Sequence, residues 1–209
     1  MTDVTIQATD GGSFSGYLAI PGTGGGPGIV VIQEIFGVND VMRGLCDSLA
    51  AQGYVALCPD LFWRQEPGIQ MSDKTEEHWA KAFQLYQGFN ETKGVEDLIA
   101  TLAFLRAHPA VTGKVGSIGY CLGGKLAYLM ATRSDAEANV SYYGVGIDKA
   151  LDEASAITNP LMMHLAGKDK FVPPEAQAQF TAQFTDNPLV TVHAYPDQDH
   201  AFARTDGVH

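Results

Sequence analysis

The run GIVVIQE, residues 28–34, is apolar from Ile29 to Ile32 without the polar alternation of a half-exposed strand. A short continuous run of this kind is what a strand buried on both faces of a parallel sheet requires. The same chain repeats the theme. VMRGLCDSLAAQG sets Val41, Met42, Leu45 and Leu49 on one helical face and stops at Gly53, and YVALCPD (54–60) reads as the next strand. KGVEDLIATLAFLRAH carries Val95, Leu98, Ile99, Leu102 and Leu105 at helical spacing before a third strand, KVGSIGY (114–120). The helix LGGKLAYLMATR, the strands NVSYYG and PLMMHLAG, the helix EAQAQFTAQF and the strand LVTVHAY (189–195) complete the alternation. Strands and helices in such succession predict an α/β fold, a mostly parallel sheet of about seven or eight strands with helices on both faces. VTIQAT and FSGYLAIP, at the start, read as an antiparallel pair at one edge. The chain shows no repeat, low-complexity tract or Pro/Ser linker, so residues 1–209 are expected to form one domain. PGTGGGPG (21–28) is dense in glycine, but no Gly-Lys-Ser/Thr follows it and a strand comes next, so it reads as a loop between strands, not a phosphate cradle.

In open α/β sheets, ligands meet the loops beyond the carboxyl ends of the strands. Four reactive side chains fall there: Glu34, Cys121, Asp169 and His200. Gly119-Tyr120-Cys121-Leu122-Gly123 fits the nucleophile-elbow pattern, glycine flanking a nucleophile between a strand and a helix. A thiol there faces the positive end of the helix dipole, which favours the thiolate. Cys121, Asp169 and His200 occur in the order nucleophile, acid, histidine. In that scheme His200 moves the proton, Asp169 orients the imidazole, and the backbone N–H groups of Leu122 and Ile35 form an oxyanion hole. Competing readings exist for each residue type. Cys46 and Cys58 read as small core hydrophobes, His164 and His193 as packing residues within strands, and Asp197 and Asp199 as solvated loop carboxylates.

At these residues the sequence resembles the dienelactone hydrolase family, the cysteine-dependent carboxymethylenebutenolidases of the α/β-hydrolase superfamily. The matching stretches are QEIFGVN (33–39), GYVALCPDLFWRQEPG (53–68), KVGSIGYCLGGKLAY (114–128), YYGVG (142–146), GKDKFVP (167–173), NPLVTVHAY (187–195) and HAFAR (200–204). The resemblance implies opening of an unsaturated lactone that bears a carboxylate, dienelactone to maleylacetate, through a thioester on Cys121. It implies that Glu34 is a switch that takes the thiol proton when substrate arrives. It also implies two arginines for the substrate carboxylate. One is Arg204. The other belongs near EEHWAKAF, where Trp79 stands instead with Lys81 close by, and a neighbouring aromatic hydroxyl is replaced at Phe83. Arginine and lysine are not equivalent for a bidentate carboxylate contact. Gln33, Trp79, Lys81, Phe83 and Arg204 are the expected substrate-contacting residues, and a broader esterase acting on neutral substrates, or an idle binding scaffold, are the alternatives. The superfamily's last helix is expected to be absent, since nine residues follow His200.

Charge and cysteine content narrow the partners. A formal charge of −11 disfavours nucleic acid and anionic membranes. Three cysteines without a CxxC pair fit neither a disulfide framework nor a zinc cage, and Asp197, Asp199 and His200 lack a second donor cluster, so no metal or other cofactor is expected. With no apolar run long enough to span a bilayer, a cytoplasmic protein is expected, a monomer or a weak homo-oligomer acting on a small lactone or ester.

Overall fold

The computed structural model describes residues 2–206. Its centre is one eight-stranded sheet in the order β1-β2-β4-β3-β5-β6-β7-β8. Strands β1 (Thr2–Gln7) and β2 (Ser13–Ala19) pair antiparallel at one edge, and β2 is also antiparallel to β4 (Val55–Pro59). From β4 onward the neighbours run parallel: β3 (Gly26–Ile32), β5 (Val111–Tyr120), β6 (Asn139–Tyr142), β7 (Leu161–Ala166) and β8 (Val190–Tyr195).

The helices are α1 (Asp40–Ala51), α2 (Glu76–Gln87), α3 (Glu91–Ala107), α4 (Leu122–Arg133) and α5 (Pro174–Phe184), with a 3-10 stretch at Ile147–Ala156 that the sequence pattern did not reveal. Side-chain caps start three of them: the oxygens of Asn39, Thr75 and Asn90 accept from the backbone N–H groups of Met42, His78 and Lys93. The deeply buried residues of α1 are Val41, Met42, Cys46 and Ala50, while Leu45 and Leu49 are half-buried. The apolar stripe is therefore rotated slightly from the one drawn by the leucines. Among the described residues no helix follows His200, and none is long and apolar enough to cross a membrane.

The site's position follows from strand order. The chain leaves β3 toward β4 on one side and reaches β5 on the other, which opens a crevice at the carboxyl ends of β3 and β5. Ile32 is in register with Gly119, and two residues further along the parallel pair lie Glu34 and Cys121. α4 then packs against the end of β3. An added Cβ at Gly123 would collide with the carbonyl oxygens of Ile32 and Gln33, and one at Gly119 with the carbonyl of Gly123. Glycine is thus required for this backbone approach. Because the obstructing atoms are main chain, Gly123→Ala should lower unfolding stability by about 1–3 kcal/mol, measured by urea denaturation. An unchanged midpoint would contradict the packing described here.

Candidate active site

Cys121 sits between β5 and α4 with φ 56° and ψ −113°, a backbone conformation uncommon for a residue with a side chain. Cys121 is itself the N-cap residue of α4, and no side chain caps that helix end. The Cys121 N–H donates to the Tyr142 carbonyl at 3.1 Å, and the Tyr143 N–H to the His164 carbonyl at 2.8 Å. Tyr143 (φ 38°) and Ala201 (φ 64°) are the other non-glycine residues with positive φ among the described residues. Cys121 and Ala201 line the same cavity and Tyr143 packs behind it on His200; backbone strain of this kind tends to collect at such places.

His200 and Asp169 arrive from loops beyond β8 and β7. His200 Nδ1 lies 2.8 Å from Asp169 Oδ2, and Asp169 Oδ1 accepts from the Phe171 N–H at 2.8 Å. The carboxylate is buried, and its second oxygen is fixed by its own loop. The imidazole packs against Tyr143, with ring centroids 5.0 Å apart, and against Phe171 at 4.8 Å. Burial acts to lower the pKa of His200, but Asp169 and the facing Cys121 thiol outweigh it and push the value up to about 10. Asp197 and Asp199 are exposed, and Asp199 only accepts from the backbone N–H of His200.

Glu34 is buried beside them. Its Oε2 lies 3.1 Å from Arg204 Nε, and Arg204 Nη1 donates to Asp73 Oδ2 at 2.6 Å. Burial raises the proton affinity of Glu34, Arg204 and His200 lower it, and Asp73 raises it again, with a net upward shift. The Tyr143 hydroxyl is buried nearby without a hydrogen-bond partner.

A cavity of about 260 Å³ joins these groups. It is lined by Glu34, Ile35, Cys121, Leu122, His200 and Arg204, and by an aromatic wall that includes Trp79, Phe83, Tyr86 and Phe171. Trp79 and Phe83 stack with centroids 5.5 Å apart. Asp73, Lys170 and Asp199 also reach the cavity.

Two expected contacts do not reach it. Gln33 is fully buried and bridges loops instead, its amide nitrogen donating to the Glu34 carbonyl and its oxygen accepting from the Leu61 N–H. Lys81 is drawn away by an ion pair with Glu66. Cys46 and Cys58 are both wholly buried, and a hydrogen bond from Cys46, together with burial, pushes the Cys58 thiol up. His164 is a packing residue stacked on Tyr142, with Nδ1 2.9 Å from the Tyr195 hydroxyl. His193 stacks on His164 but is exposed, because β8 is the outermost strand. Asp73, Tyr143 and Phe171 were not singled out by sequence. No motif surrounds Asp73, and only folding brings it to Arg204.

A parallel sheet with an elbow cysteine and an acid–histidine pair at its carboxyl edge defines the α/β-hydrolase class. The crystal structure of a dienelactone hydrolase-like promiscuous phosphotriesterase P91 from metagenomic libraries superposes with TM-score 0.78 at 26% identity, covering 96% of this chain and 84% of that one. Est1E from Butyrivibrio proteoclasticus shares the fold at TM-score 0.69 and 15% identity, covering 96% of this chain and 90% of that one. The model of the dienelactone hydrolase family matches residues 14–208, and the chain belongs to that family. A relative from Azospirillum brasilense is 55% identical over all of this chain and 90% of its own length. The carboxymethylenebutenolidase of Pseudomonas putida is 42% identical, over 97% of this chain and 86% of its own length. Family and fold together make this chain a hydrolase of carboxylic ester or lactone bonds.

The raised pKa of His200 couples the site to stability. Its folded-state value lies above the ordinary 6.5, so the stabilisation is complete below about pH 6.5 and is lost as the pH rises toward about 10. The difference in unfolding free energy between wild type and His200→Gln should therefore shrink over that window. Chemical denaturation at intervals from pH 6 to 10 measures it, and a flat difference would show that the imidazolium is not stabilised by its neighbours.

Proposed function

We propose that this protein is a cysteine-dependent hydrolase that opens a lactone or activated ester through a thioester on Cys121. The 2.8 Å contact of His200 with Asp169, beside a thiol on a strained strand-to-helix turn, is the observation that carries this reading. His200, pushed up to about 10, holds the proton that the leaving oxygen will need. Glu34, whose burial raises its affinity for a proton, is the acceptor that arms the thiol.

In the first half-reaction the thiolate sulfur bonds to the acyl carbon. The N–H groups of Leu122 and Ile35 take the developing oxyanion, the carbon–oxygen bond of the ring or ester breaks, and the leaving oxygen receives the proton held by His200. A lactone leaves both product groups on one molecule, tethered as the thioester. In the second half-reaction a water adds to the thioester carbon while His200 takes its proton, sulfur leaves as thiolate and takes back the proton held by Glu34, and the carboxylic acid released ionises to water. Asp169 keeps the imidazole in one orientation throughout. No step requires a cofactor or metal.

Dienelactone, opened to maleylacetate, is the first substrate to test, since relatives at about this level of similarity are named carboxymethylenebutenolidases. Cys121→Ala should lower kcat/KM for dienelactone and for p-nitrophenyl acetate by at least ~1,000-fold, as loss of a covalent nucleophile does. Intact-protein mass spectrometry during turnover of a slow ester should show an acyl adduct in wild type and none in the variant. Activity that survives the substitution would remove the nucleophile from the proposal and leave the scaffold.

A further inference from the structure

We infer that Asp73 is a specificity determinant that holds Arg204 away from substrate carboxylates, so that the cavity prefers an uncharged acyl group. The inference rests on the lactone or ester hydrolase reading above and concerns which acyl group that site accepts.

Arg204 is the one arginine among the described residues that lines the cavity, and its guanidinium is already engaged on two sides. Nε faces Glu34 at 3.1 Å and Nη1 donates to Asp73 at 2.6 Å. All three side chains are almost completely buried, at 4% exposure for Arg204, 4% for Glu34 and 1% for Asp73. A substrate carboxylate would have to compete with two buried carboxylates already set against this guanidinium. Arginine selects carboxylates by presenting a fork of parallel N–H donors, and Asp73 occupies part of that fork.

The other cations of the cavity are matched by carboxylates, His200 by its 2.8 Å contact with Asp169. Lys170 is exposed at the rim, and Asp199 shares that rim. Lys81 is paired with Glu66 and does not reach the cavity. Where a second cation would complete a carboxylate clamp, Trp79 and Phe83 present stacked rings. The Trp79 indole N–H is itself spent on the Asp73 carbonyl at 2.8 Å, which ties the aromatic wall to the residue that restrains Arg204. A net charge of −11 adds a long-range field of the same sign. An apolar or aromatic acyl group meets none of these penalties and buries its surface against the wall.

The test compares dienelactone, an anion, with its methyl ester. Lactone opening is identified by chromatography of the products, so cleavage of the methyl ester itself is not counted. Wild type should show kcat/KM at least ~10-fold higher for the neutral lactone. In Asp73→Asn, which keeps the side-chain shape and removes the charge, that ratio should move toward the anion by ~10-fold, because an Arg–carboxylate contact freed from a competing anion is worth about a factor of ten. A wild-type preference for the anion overturns the inference, as does a ratio that Asp73→Asn leaves unmoved. Should the variant fail to fold, the wild-type ratio decides alone. Activity retained in Cys121→Ala would instead overturn the cysteine mechanism, so the two failures are distinguishable.

Discussion

The architecture of the site depends on one backbone contact, the approach of the α4 N-terminus to the carboxyl end of β3. It can form because Gly123 carries no Cβ to strike the carbonyls of Ile32 and Gln33. With that contact in place the turn at Cys121 has nowhere to relax, and the residue holds φ 56° while its N–H is fixed by Tyr142. A non-glycine residue in such a conformation costs about 1–3 kcal/mol, which the surrounding sheet and core must over-determine. The benefit is geometric. The thiol projects at the crevice mouth, level with Glu34 from the neighbouring strand, and the start of the helix faces it.

Around that thiol the dominant physics is the handling of buried charge. Glu34, Arg204 and Asp73 would each be costly alone in an apolar wall, and together each limits the penalty of the others. The arrangement hinges on the cation: without Arg204 two buried carboxylates would face each other unpaired, whereas loss of one carboxylate leaves a single ion pair. Asp73 and Arg204 also face a second cavity of about 240 Å³, lined further by Asn39, His78 and Asp206, so their ion pair is the partition between two hollows. A substrate that pulled on Arg204 would therefore work against Asp73 as well as Glu34. An uncharged one leaves the partition intact.

Sequence made the candidate site legible because an elbow is a local pattern. Glycines at fixed offsets, a strand before and a helix after are all written within Gly116–Gly124, and the acid and histidine follow the ends of strands recognisable by their apolar runs. The parallel sheet was legible for the same reason. What escaped was long-range. Asp73 lies 131 residues from Arg204 in a loop without a motif, and its role exists only once the loop before α2 is docked. That docking comes from Asn39, whose amide donates to the Met71 carbonyl, and from the bridge between Gly37 and Gln70. Gln33 misled for the opposite reason. Adjacent to Glu34 in sequence, it points the other way because neighbouring residues of an extended segment face opposite sides of the sheet. Lys81 shows a further limit, since its partner Glu66 is set by tertiary contact, not by helical spacing.

The loop after β8 supplies both the histidine and the arginine, and this joins chemistry to recognition. His200 and Arg204 are four residues apart, connected through Ala201 in a left-handed conformation and through the Arg204 N–H, which donates to the Ala201 carbonyl at 2.9 Å. Such a closed turn has few internal degrees of freedom. Arg204 and His200 thus leave one short turn, and the imidazole at its start is held by the 2.8 Å contact to Asp169. At the far end of that turn the Arg204 side chain is bonded to Asp73 at 2.6 Å. The cost of opening that contact would fall on any substrate that needs the arginine, so the proposed selectivity and the proposed acid–base pair draw on the same short turn.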